Sequence, residues 1–181
     1  MKANFEQMLS GGHHNSLGRT VEVVEMVLAD ADKLAELYNC YFSTDELVRL
    51  RTSNAIKRVS QRHPEWLVSY IDRFISEIAA IPQASAQWTL AHLFLTLTQY
   101  MNQKQLTDAK EILKNNLETS QDWIVLNNTM QTLAEWSEDD GELKHWLTPR
   151  LEKLSQDKRK SVAGRAKKLI ASLNTIADSV L

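Results

Sequence analysis

Apolar and polar residues follow one another along this chain at the period of an α-helix. Across residues 45–62, Val48, Thr52, Ala55, Ile56 and Val59 fall on one side of such a helix, and charged residues fill the gaps. Ser43-Thr44-Asp45 supplies a break and a cap before it. Pro64, next to His63, both stops that helix and starts another. Residues 64–81 then place Leu67, Ile71, Phe74, Ile75 and Ile78 on one face of a single helix that Pro82 ends.

The same reading extends in both directions. Residues 84–101 are apolar on most sides, which predicts a buried helix. In 104–117, Leu106, Ala109, Ile112, Leu113 and Leu117 face inward, and 122–136 and 143–154 pair across the acidic turn 138–142. Residues 157–173 form the last helix. Upstream, 17–28 carries Val21, Val24 and Leu28 on one side, and 32–42 carries Leu34, Leu37 and Tyr41. No stretch keeps a two-residue alternation, so the fold is all-α, with short connections that favour antiparallel neighbours.

Every second helix can be laid on one frame. Val48, Thr52, Ala55 and Val59 correspond to Ala84, Trp88, Ala91 and Leu95, then to Val125, Thr129, Thr132 and Trp136, then to Arg159, Ala163, Ala166 and Ile170. The frame starts lie 36, 41 and 34 residues apart. Among the first helices, Leu67, Ser69, Ile71 and Phe74 match Leu147, Pro149, Leu151 and Leu154, each set preceded by a tryptophan.

These residues resemble the HEAT repeat, whose first helix carries Leu-x-Pro-x-Leu and whose second opens on Val-Arg followed by spaced alanines. The pair within 32–62, with Val48-Arg49, matches best, and 146–170 comes next. The repeats opening at Ala84-Ser85 and Val125-Leu126 lack the arginine. The resemblance covers about residues 32–173. It implies a right-handed α-α superhelix of about four hairpins with 17–28 as an N-terminal capping helix. Residues 1–16 are then a flexible segment, 17–173 one solenoid domain and 174–181 a fraying tail.

Composition adds bounds rather than chemistry. The chain has 181 residues, 43% hydrophobic and 24% charged, with a net charge of −2, which is globular and gives no sign of a dedicated polyanion binder. Its one cysteine, Cys40, suits a reducing compartment and a packed thiol. No signal-peptide run and no eighteen-residue apolar span is present, so a soluble cytoplasmic protein away from membranes is expected.

Arg51, Arg58 and Arg62 stand at i, i+7 and i+11, on one side of their helix. Second helices line the concave side of HEAT-like stacks, so this stripe is a candidate contact for an acidic partner. The bland alternative is a solvated face paired with Asp45, Glu65 or Asp72. Asn128 and Glu135 are further outward positions. Between Lys144 and Lys168 nine basic residues face only Glu152 and Asp157, and Lys158, Arg159, Lys160, Arg165, Lys167 and Lys168 make a candidate basic patch. Base-stacking aromatics do not alternate with it. Trp123, at a helix start, is the tryptophan expected to be exposed.

No catalytic residue, metal site or cofactor is expected. His13-His14 lacks further ligands at fixed spacing, and the acidic turn 138–142 lacks the ligand alternation of a calcium loop. The expected function is a non-enzymatic module binding a protein or peptide. The alternative that the resemblance implies is a nucleic-acid-binding HEAT-like protein related to the alkylpurine DNA glycosylases, and a second enzymatic alternative is the HEAT-like bilin lyases. No position here matches the catalytic aspartate of the former, and no specific residue supports the latter.

Overall fold

The computed structural model describes residues 4–178, and every element among them is helical. The chain divides into two compact units between Gln105 and Leu106, where the sequence reading expects a single domain.

The first unit opens with α1 (Phe5–Leu9), α2 (Thr20–Ala29), α3 (Leu34–Asn39) and α4 (Glu46–Arg62). Asp45 caps α4 by accepting a hydrogen bond from the Leu47 amide at 2.8 Å. Its apolar stripe is closed to solvent: Val48, Thr52, Ala55 and Val59 are each 0% exposed. After His63 the chain winds as a 3-10 helix over Pro64–Tyr70, makes one α turn as α5 (Ile71–Arg73) and widens to a π-helix over Phe74–Ile78. The single α-helix expected over 64–81 is therefore a composite. Tight turns followed by wide ones leave the average near the α period, so Leu67, Ile71, Phe74 and Ile78 still share one buried side. In α6 (Ala84–Leu97) no position is exposed. Helix α4 packs against both α2 and α6.

Two expectations fail at the N-terminus. Residues 4–16 are not a loose segment, because α1 buries Phe5, Met8 and Leu9 and the Phe5 amide donates to Glu36 Oε1 at 2.9 Å. Each fully buried side chain of that size contributes about 2 kcal/mol, enough to hold a five-residue helix that could not persist alone. Helix α2 is consequently packed against α1 as well as α4. Its buried face is Thr20, Val23, Val24 and Val27, while Val21 and Leu17 are exposed.

The second unit contains α7 (Gln103–Thr119, which begins in the first), α8 (Trp123–Trp136), α9 (Gly141–Leu154) and α10 (Lys160–Asp178). Asp122 caps α8 through the Ile124 and Val125 amides, and Asp140 caps α9 through Leu143. Helix α10 packs on α8 and α9. It continues past Leu173, so 174–178 are helical rather than a frayed end; residues 179–181, like 1–3, lie outside the described residues.

The repeat frame needs one correction. It is right in α4 and α8, where Val125, Thr129, Thr132 and Trp136 are buried. In α6 the closed stripe is Ala86, Leu90, Leu93 and Leu97, and in α10 it is Val162, Ala166, Leu169 and Leu173. All four stripes then share the offsets 0, 4, 7 and 11. Their leading positions, 48, 86, 125 and 162, lie 38, 39 and 37 residues apart, a more even spacing than the pattern alone suggests.

Candidate functional site

Arg51 does not face outward. It is 2% exposed, and its guanidinium is wrapped by backbone carbonyls of the segment between α1 and α2. Nη1 donates to the oxygens of Leu9 and Gly11 at 2.7 Å and of Ser10 at 3.3 Å; Nε and Nη2 both reach Ser16 at 3.1 Å, and Nη2 also reaches His13. The loop bends around this cation through positive φ at Gly11, Gly12 and Gly18, a conformation only glycine adopts cheaply. Arg51 is thus a fold-organising group. Helical spacing aligns Arg51 with Arg58 and Arg62, but spacing does not show the loop that covers it.

Arg58 and Arg62 are exposed, and Arg58 Nε donates to Asn54 Oδ1 at 2.7 Å. In the second unit Glu135 is exposed and accepts from Gln131 Nε2 at 2.7 Å, and Asn128 is half-buried. Lys158, Lys160, Lys167 and Lys168 are exposed. The two arginines of the basic patch are instead engaged with protein groups. Arg165 donates to Gln131 Oε1 at 2.7 Å, and Arg159 grips both oxygens of Asp157 at 2.8 and 2.7 Å and the Gln121 carbonyl at 2.6 Å. The Arg159 fork holds the Asp157 carboxyl at about 2.

Arg159, Asp157 and Gln121 line a groove of about 490 Å³ made wholly from the second unit. Leu117, Leu126 and Leu154 supply its apolar part, and Arg150, Lys153 and Arg159 its cations. Arg150 lies 3.8 Å over the Trp146 ring and donates through Nε and Nη2 to Glu118 Oε1 at 2.9 and 2.6 Å. Lys114 Nζ is 5.3 Å from the same indole. A 32-residue separation between Glu118 and Arg150 leaves no motif, so only tertiary packing reveals this arrangement. Trp123 is 48% exposed, as expected for that position.

The first unit offers an aromatic cluster. Tyr38 contacts Tyr41, Phe42, Tyr70 and Phe74, and Arg73 lies 4.2 Å over its ring. The Tyr38 hydroxyl donates to Glu77 Oε2 at 3.0 Å, and Arg73 holds the Glu77 carboxyl below its ordinary range. Every charged member is satisfied internally, which suits a packing role. Burial lowers the His92 imidazole, with nearby Lys57 adding to the shift. Among the described residues no three His, Cys, Asp or Glu side chains come together to hold a metal ion, and no helix is long and apolar enough to cross a membrane. The chain matches no family model and none of the curated proteins.

Proposed function

We propose that this chain is a HEAT-like repeat module, built as a right-handed α-α superhelix, that binds a protein partner without catalysing a reaction. The observation that carries the reading is the reach of its tertiary hydrogen bonds. Tyr38 to Glu77 spans 39 residues, Arg49 to Gln83 spans 34, Lys110 to Asp140 spans 30 and Arg159 to Gln121 spans 38. Each joins groups about one repeat apart, as expected when a hairpin is covered by its sequence neighbours. Arg49, the arginine of the Val48-Arg49 pair, also donates to the Ser43 carbonyl at 2.6 Å, so it ties the turn before α4 to the turn before α6.

A stack of this kind presents a surface that is ordered before binding, and little conformational entropy is then lost on association. Arg58 and Arg62 are the candidate contacts of the first unit, and Asn128 and Glu135 those of the second. Affinity capture of the tagged protein, analysed for protein and nucleic acid at low and moderate salt, tests the reading. A stoichiometric protein partner lost on Arg58→Glu with Arg62→Glu is the expected result. Nucleic acid retained at low salt, released at moderate salt and lost on reversal of Lys158, Lys160, Lys167 and Lys168 would overturn it.

A further inference from the structure

We propose that the groove of the second unit docks an acidic peptide segment carrying an apolar anchor residue. The inference rests on the interaction-module reading and names the chemistry of the partner.

Three features of the groove define the occupant. Its apolar part is formed by Leu117, Leu126 and Leu154, from three different helices, and invites one or two aliphatic or aromatic side chains. Its volume of about 490 Å³ falls within the range of sites that enclose small-molecule-sized groups. Its charge is unbalanced. Arg150, Lys153 and Arg159 face two carboxylates, Glu118 and Asp157, and the exposed Lys158 and Lys160 follow on the same chain segment.

The ion pairs already present do not exhaust the cations. Arg150 uses three of its five N–H groups, two on Glu118 and one on the Trp146 carbonyl. Arg159 uses three as well, two on Asp157 and one on Gln121. Each guanidinium keeps two donors for a further carboxylate oxygen, and Lys153 is exposed. The internal pairs hold both arginines in place, so an incoming carboxylate meets preorganised donors at little entropic cost.

A nucleic acid strand fits this groove less well. The groove has a separate apolar part that a phosphate backbone would leave unfilled, and the Trp146 ring that could stack a base is covered by Arg150 at 3.8 Å.

The test uses the full chain and three fluorescein-labelled probes of equal length: a Glu/Leu peptide, a Lys/Leu peptide and an oligo-dT strand. Anisotropy is read alongside methyl NMR of the leucines. The proposal expects the Glu/Leu peptide to bind and to shift the methyl signals of Leu117, Leu126 and Leu154. Lys153→Glu, an exposed change checked by its unmoved melting temperature, should weaken that binding about tenfold. Equal binding of the Lys/Leu peptide, unmoved leucine methyls, or oligo-dT producing the same methyl shifts would each overturn it. A captured partner that still binds Lys153→Glu would overturn the groove assignment alone, because the module reading fails on a different result, the capture of nucleic acid in place of a protein partner.

Discussion

A β-carbon placed on Gly18 would lie 2.8 Å from Cζ of Arg51 and 2.9 Å from its Nη1. The two residues are therefore one device: the glycine lets the loop close on the guanidinium, and the guanidinium satisfies the carbonyls the loop turns inward. Gly18 also has φ +52°, which adds backbone strain to any side chain there.

Arg51→Met should destabilise the first unit by roughly 3 kcal/mol, the scale of leaving one or two buried carbonyls without donors. Arg51→Lys should recover little, because an ammonium cannot reproduce the fork. Gly18→Ala should cost about 1–3 kcal/mol by strain and overpacking. Chemical denaturation measures the loss, and hydrogen exchange should show it concentrated in residues 9–18. A stable Arg51→Met protein with unchanged protection there would refute the clamp.

Gly164 behaves oppositely. It is exposed within α10, has no positive φ and offers open space to a β-carbon. Gly164→Ala should therefore stabilise the protein by about 0.5–1 kcal/mol through helix propensity. A melting temperature that falls would show an unrecognised role for that glycine.

The second unit should lose stability in acid. Lys110, at 2.7 Å, holds the Asp140 carboxyl below its ordinary range, with help from the Leu143 amide, and Asp157 sits at about 2 beside Arg159. Carboxyls depressed on folding stabilise above their unfolded range, and that contribution disappears as pH falls through the folded values. Stability should thus decline from about pH 4 toward pH 2, and Asp140→Asn should flatten part of the decline. It should also cost about 1 kcal/mol or less at neutral pH, since asparagine still caps while the Lys110 pair is lost. An unaltered acid limb in that variant would assign the transition elsewhere.

Cys40 should be inert in the native protein. It is 5% exposed, its thiol donates to the Glu36 carbonyl at 3.4 Å, and burial pushes it up to about 12. Labelling by a thiol reagent at neutral pH should follow unfolding rather than encounter. Rapid labelling without denaturant would contradict the packing around α3.

Much of the helical architecture is legible locally. Asp45, Asp122 and Asp140 sit at helix starts as their capping chemistry requires, and Pro64 opens the 3-10 helix that follows α4, where its missing N–H costs no bond. The stripes of α4 and α8 fall where the frame puts them. In α6 the pattern is ambiguous because apolar residues surround the helix, so periodicity cannot choose among neighbouring registers. In α10 the small residues Ala163 and Ala166 fit either of two faces, and only packing on α8 and α9 selects Ala166.

The candidate sites are less legible for a related reason. Spacing along one helix reports direction, not what lies opposite. Arg51 and Arg58 share a direction, yet one is sealed by a loop some forty residues upstream and the other is exposed. Likewise, Arg159 and Lys158 are neighbours in a basic run, but Asp157 and the Gln121 carbonyl engage only the arginine.

By itself, then, the sequence determined that the described chain is all-helical, where most of its helices begin and end, and that an apolar helix pattern recurs unevenly at about forty residues. Those properties follow from interactions within about eleven residues: caps, backbone hydrogen bonding and the periodicity of side chains. Only the tertiary structure decided which arginines are sealed and which are exposed, that α1 is part of the core, and that Glu118, Arg150 and Arg159 converge on one groove. Those outcomes depend on contacts between residues about 30 to 42 positions apart, whose energies are set by desolvation and geometry that no local pattern encodes.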